Sequence, residues 1–324
     1  MFIRSYHLAT SHRWMIVASS VMLGGCALRG PLVSTVPEPA PTSAAVREGY
    51  VVDVPAFALI TSSSPAKTIA LTSLHESVTT FEWLFENPAP HIGVVVVDGS
   101  MSAPAAASMM PQDLTTIMVM TGEPDTANPA RSVAELESAL RTMSADAWLH
   151  DYANQWAVAV ETDTANHGAE PDDVHSRADV LPHWLRVGAL RIIAEGQQAT
   201  RADAPSVIMP LRDLLHYKLR PAEVGAVGRM LHHPERINEA RIDEAYDETI
   251  ARAFILQSTS VLRFLRERQG GAAVSDLFGA SMTGMPVEEI LEQLPHPTSV
   301  EALERSWLTW SSLHDRTPSA EVAR

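Results

Sequence analysis

The stretch Trp148-Leu149-His150-Asp151-Tyr152-Ala153-Asn154-Gln155-Trp156 decides how this chain is read. Side chains four residues apart share one face of a helix, so His150 and Asn154 project the same way, with the Asp151 carboxylate beside them. Two imidazoles at that spacing, with a carboxylate directly after the first, can grip one zinc ion and activate its bound water. Here one imidazole is present and the second position holds an amide. Trp148 and Trp156, which flank the stretch, read as core anchors.

Upstream, the pattern is strand, helix, strand, strand. Residues 50–61 predict one strand over Val51-Val52-Asp53-Val54-Pro55-Ala56-Phe57-Ala58-Leu59-Ile60, with Pro55 marking an edge or an irregularity. After Ser62-Ser63-Ser64-Pro65, the apolar residues Ile69, Leu71, Leu74, Val78, Phe81, Leu84 and Phe85 recur at helical spacing up to Asn87-Pro88. That helix is expected to lie on a sheet. His91-Ile92-Gly93-Val94-Val95-Val96-Val97-Asp98 and Thr115-Thr116-Ile117-Met118-Val119-Met120 supply further strands, and residues 100–111 between them predict a loop.

Downstream, the periodicity is almost wholly helical. Helices are predicted over 132–143, 146–161, 181–195, 211–217, 239–269, 271–278, 286–294 and 299–313, with a polar loop over 162–179. The fold class is therefore α+β: a small amino-terminal β-sheet with a packed helix, then a mostly helical half. One body is expected over residues 49–315 and a tail over 316–324.

The chain has 324 residues, 46% hydrophobic and 19% charged, enough to bury a sizeable core and too apolar for a disordered protein. Its formal net charge of −15 is spread along the chain, and no basic patch with interleaved aromatics appears. No nucleic-acid partner is expected. At the amino terminus, Arg4 and Arg13 precede an apolar run from Trp14 to Leu23 that ends in small residues. It falls short of the ~20 apolar residues that span a bilayer. Residues 1–25 thus read as an export signal, and Leu23-Gly24-Gly25-Cys26 resembles the lipobox of bacterial lipoproteins. The resemblance implies cleavage before Cys26, the single cysteine, and acylation of its sulfur. Acyl chains contributing ~0.8 kcal/mol per buried methylene would make the attachment stable. Residues 26–48, with Pro31, Pro37, Pro39 and Pro41, form the tether. Ala27 stands where an aspartate would retain the protein at the inner membrane, so the expected location is the outer membrane, facing the periplasm.

A second motif gives the central stretch a context. Leu181-Pro182-His183-Trp184-Leu185-Arg186-Val187-Gly188-Ala189-Leu190 resembles a segment of the gluzincin-like group of the peptidase MA clan. In that group Leu-Pro-x-Trp-Leu-x-Glu-Gly-Leu-Ala follows the His-Glu-x-x-His helix and supplies a glutamate as third zinc ligand. Gln257-Ser258, Val261-Leu262-Arg263-Phe264-Leu265, Gly270-Gly271 and Trp307-Leu308-Thr309-Trp310 are similar to later parts of the family, so the resemblance runs over residues 51–312. It implies a thermolysin-like helical half.

Carried over position by position, the resemblance implies an emptied site. His150 keeps the first-ligand place, and Asp151 keeps a carboxylate at the general-base place, one methylene short. Asn154 offers a weak amide donor, and Val187 offers hydrocarbon in place of the third ligand. Loss of a single outer-shell partner already costs ~10–100-fold in metal affinity, so two missing direct donors predict no metal, no cofactor and no peptidase chemistry. A ligand such as a peptide, protein or glycan would then meet a cleft lined by Trp148, His150, Asp151, Asn154, His183 and Trp184. The alternative is an active zinc metallopeptidase with an atypical ligand set, built from His150, His183 and a loop carboxylate such as Asp172 or Asp173. A further alternative is a purely structural envelope lipoprotein. His167 and His175 read as solvated loop residues, His232-His233-Pro234 as a solvated turn, and Glu195 lies too far beyond Val187 to replace it.

Overall fold

The computed structural model describes residues 2–7, 14–20, 50–61, 63–97, 110–111, 114–120, 129–165, 181–199, 209–233, 237, 245–296 and 298–314. Strands are β1 (Phe2–His7), β2 (Trp14–Ser20), β3 (Tyr50–Val54), β4 (Phe57–Thr61), β5 (Ile92–Val97) and β6 (Thr116–Met120), in the spatial order β1-β2-β6-β5-β4-β3. β1 and β2 pair antiparallel, and β2 runs parallel to β6. Both belong to the segment read as an export signal, so cleavage before Cys26 would leave β6 at the sheet edge. The remaining four strands form the sheet of the body.

The expected single strand over residues 50–61 is instead a hairpin. Pro55 and Ala56 form its turn, and Val54 pairs with Phe57. The physical reason is Pro55 itself, which fixes its own φ and has no N–H for a ladder. β4, β5 and β6 then run parallel to one another, and all residues of β4 and β5 are buried. Continuous apolar runs are what a parallel strand covered on both faces requires. Phe57, Leu59, Val94, Val96, Ile117 and Val119 enter the main core beneath the helices, while Ala58, Ile60, Val95, Val97 and Met118 pack with Met110 on the other face.

Helices α1 (Ser64–Phe85), α2 (Pro129–Ala165), α3 (His183–Ala199), α4 (Leu211–His216), α5 (Pro221–His232), α6 (Tyr246–Gln269), α7 (Gly271–Met282), α8 (Val287–Gln293) and α9 (Val300–His314) complete the described residues. α1 begins where Ser63 Oγ accepts the Ala66 N–H, an N-cap bond to one of the helix's orphan donors. It buries Leu74, Phe81, Leu84 and Phe85.

Three helices depart from expectation. The predicted segments 132–143 and 146–161 are one helix, because Ser144 and Ala145 between them are buried and carry no breaker. α2 also continues through residues 162–165 of the expected polar loop, the rest of which lies outside the described residues, as does most of the expected loop over 100–111. α6 begins at Tyr246, residues 239–244 of the predicted segment lying outside the described residues, and α5 was not expected at all.

α6 is the axis of the helical half. Residues 251–265 are buried except for the half-buried Ser260, so neighbours surround it on every side. Its polar groups are matched inside: Met209 N–H donates to Gln257 Oε1 (2.9 Å), and Gln257 Nε2 donates back to Met209 O (2.8 Å). α3 packs along α6. Gly188 makes that approach possible, since a Cβ there would stand 2.7 Å from the Ser258 carbonyl oxygen.

Candidate functional site: a polar seam between α2 and α3

α2 presents two unlike faces. Ala145, Trp148, Leu149, Tyr152 and Ala153 point into the core, while Asp146, His150 and Asn154, one turn apart in succession, are half-buried. Trp148 is wholly buried, packs on Phe81, and donates its indole N–H to the Ala56 carbonyl in the β3–β4 turn (3.3 Å). Tyr152 OH accepts from Asn87 Nδ2 (3.0 Å), which also donates to Ser275 Oγ (2.9 Å) and so ties the end of α1 to α2 and α7. Trp156 lies against Gly279, where a Cβ would come within 2.7 Å of the indole ring.

α3 starts behind Pro182, whose carbonyl accepts the Leu185 N–H (3.0 Å). Trp184 is 1% exposed and Val187 7% exposed, both in the main core. This corrects the expected cleft lining. Trp148 and Trp184 face the interior because the helices need bulk there, which leaves His150, Asp151, Asn154 and His183 as the partly exposed members.

Three contacts set the seam. Arg186 Nη2 donates to Asp146 Oδ1 (3.0 Å), fixing α3 against α2 one turn before His150. Thr115 Oγ1 donates to Asp151 Oδ1 (2.7 Å), which holds that carboxylate to the residue preceding β6. Leu219 N–H donates to His183 Nδ1 (3.0 Å), so the imidazole serves the segment between α4 and α5. Burial, together with the Arg186 and Lys218 cations, pushes the His183 ring below the ordinary imidazole value.

His232 belongs to the same neighbourhood, and the reading of His232-His233-Pro234 as a solvated turn is corrected here. His232 is the last residue of α5 and is half-buried. Burial and the adjacent His233 hold its pKa down, against an opposing pull from Asp146. The sequence carried a signal for α5 that was not used: Pro221 in the first turn, Glu223 three residues after Arg220, then apolar residues at helical spacing. Glu195, set aside earlier, is engaged by the buried Arg191 (2.9 Å).

Among the described residues, the buried donors Asn154 Nδ2 and Trp184 Nε1 have no partner. Among the described residues, no three His, Cys, Asp or Glu side chains gather where they could hold a metal ion. Nor does the donor set suit zinc. His150 supplies one imidazole, while Asn154 offers an amide and Val187 is embedded in hydrocarbon. What the seam does offer is hydrogen bonding: a carboxylate, an imidazole and an amide along one helix face.

Comparison with protein families, characterised proteins and solved structures finds no match. Cys26, His167, His175, Asp172 and Asp173 lie outside the described residues. Among the described residues, no helix is long and apolar enough to cross a membrane.

Proposed function

We propose that this chain is a non-catalytic, lipid-anchored envelope protein with a peptidase-like fold, which binds a peptide, protein or glycan along the half-buried face of α2. The observation that carries the reading is the pairing of changes at two separated positions. Asn154 stands on α2 and Val187 on the helix packed against it, each where the resemblance calls for a zinc ligand. Val187 is core hydrocarbon, so no small shift of a side chain turns it into a donor. Asp151 is held by the Thr115 hydroxyl, an arrangement that positions a carboxylate as a hydrogen-bond acceptor for a ligand amide or hydroxyl. Fold alone does not secure function; these side chains carry the proposed role.

Elemental analysis of the mature protein, purified in detergent, tests the loss of chemistry. No stoichiometric zinc is expected. A tightly held equivalent that disappears in His150→Ala would overturn the non-catalytic reading. The anchor is tested separately: Cys26→Ser should release the protein from membranes, and continued lipid labelling of that variant would refute acylation at this residue.

A further inference from the structure

α5 is attached to the body at both ends through histidine-bearing contacts. At its entry, Leu219 N–H donates to His183 Nδ1 (3.0 Å). A backbone amide is always a donor, so Nδ1 must present its lone pair and the neutral ring carries its proton on Nε2. A second proton has to go onto Nδ1, where it would face the Leu219 N–H and break that bond. Lys218 beside Leu219 and Arg186 one turn along α3 add like charge.

At its exit, two α2 hydroxyls hold the last carbonyls of α5. Ser138 Oγ donates to His232 O (2.9 Å) and Thr142 Oγ1 to Leu231 O (3.1 Å). The His232 ring sits there half-buried, beside His233 and across from Asp146, whose carboxylate is already committed to Arg186 (3.0 Å). A charged His232 would lose hydration and meet its neighbour, with Asp146 compensating only in part.

We infer that α5 is an acid-loosened strap, seated by His183 and His232 while both rings are neutral and opening more often when they are protonated. Between the two ends, Ala226, Val227, Met230 and Leu231 are buried, so acid raises the frequency of opening and does not detach the helix outright. Burial pushes the Glu223 carboxyl up, but bonds from Arg220 and Tyr217 outweigh it and keep Glu223 charged across the imidazole range. Arg220 with Asp247 and Arg229 with Glu248 join the outer side of α5 to α6.

The sign follows from proton linkage. Both rings bind protons less readily in the folded state, so the stability they confer is complete above about pH 6.5, the ordinary imidazole value, and is withdrawn as pH falls below it. The exit end of α5 rests on Ser138 and Thr142 of α2, on the face that carries Asp146 and His150 and about three and two turns before His150. Loosening would therefore uncover the approach to the seam, and this holds whether or not the seam binds a ligand.

Hydrogen–deuterium exchange on the mature protein tests the strap, with amides of 221–232 read against those of the central α6 as an internal standard. After correction for intrinsic rates, α5 protection relative to α6 should fall at least about five-fold between about pH 7.5 and about pH 5.5. The double variant His183→Asn, His232→Asn, whose amide oxygen at 183 can still accept the Leu219 N–H, should show no such change. A wild-type ratio that is constant with pH overturns the inference by itself, even where the variant fails to fold. So does an equal pH response in wild type and a folded variant.

Discussion

The two faces of α2 were built under different rules. On the inner face, the polar atoms of Trp148 and Tyr152 have their partners, Ala56 O and Asn87 Nδ2, inside a packed aromatic cluster with Phe81, Phe85 and Phe278. On the half-buried face, Asp146 accepts from Arg186 and Asp151 from Thr115, while among the described residues Asn154 Nδ2 is left without a partner. A buried donor without an acceptor costs stability on the order of 1–3 kcal/mol. The inner face is dominated by aromatic packing, while the half-buried face presents polar groups, as the proposed binding surface requires.

The largest way to break the contrast is Trp148→Ala. Removing a wholly buried indole should cost about 3–5 kcal/mol, measured by urea denaturation, whereas a loss under about 1 kcal/mol would mean that the inner face is not the anchor described here. Next comes Val187→Glu, which buries a carboxylate in hydrocarbon and should cost roughly 3 kcal/mol or more. Joined to Asn154→His, it sharpens the comparison, for the ligand set that the resemblance implies would then be complete. Added zinc should raise the melting temperature of this double variant and leave that of the wild type unchanged. No zinc response in a folded double variant would sink the reading of the α2–α3 seam as a former metal site. The smallest effect is expected from Asn154→Leu, which removes the unpartnered amide and should leave stability unchanged or up to about 1 kcal/mol higher. A clear loss of stability there would show that the amide is a structural member of the fold.

Much of this was readable from residues alone, for local reasons. The apolar runs of β4 and β5 read as strands, and the helical spacing after Ser63-Ser64-Pro65 gave α1. Pro55 was visible as an irregularity, but whether it bends an edge strand or reverses the chain depends on what pairs across it, and Val54 pairs with Phe57. α5 was missed because Gly225 and Gly228 interrupt a short segment, although Pro221, Glu223 and the apolar spacing mark a helix. The site was only half legible: its side chains could be listed, but their partners could not. Asp146 meets Arg186 across 40 residues, Asp151 meets Thr115 across 36, and Leu219 meets His183 across 36. Nothing in local spacing sets such pairings.

By itself the sequence determined what chemistry each position can offer: an imidazole at His150, a carboxylate at Asp151, an amide at Asn154 and only hydrocarbon at Val187. Those are properties of side chains and need no partner to be true. The tertiary structure alone decided that Trp184 faces the core instead of a cleft, that Asp151 is held by Thr115, and that His183 fastens the entry to α5. Orientation and bonding are settled by packing among segments far apart in the chain, where the burial of one helix face dictates what the opposite face can meet.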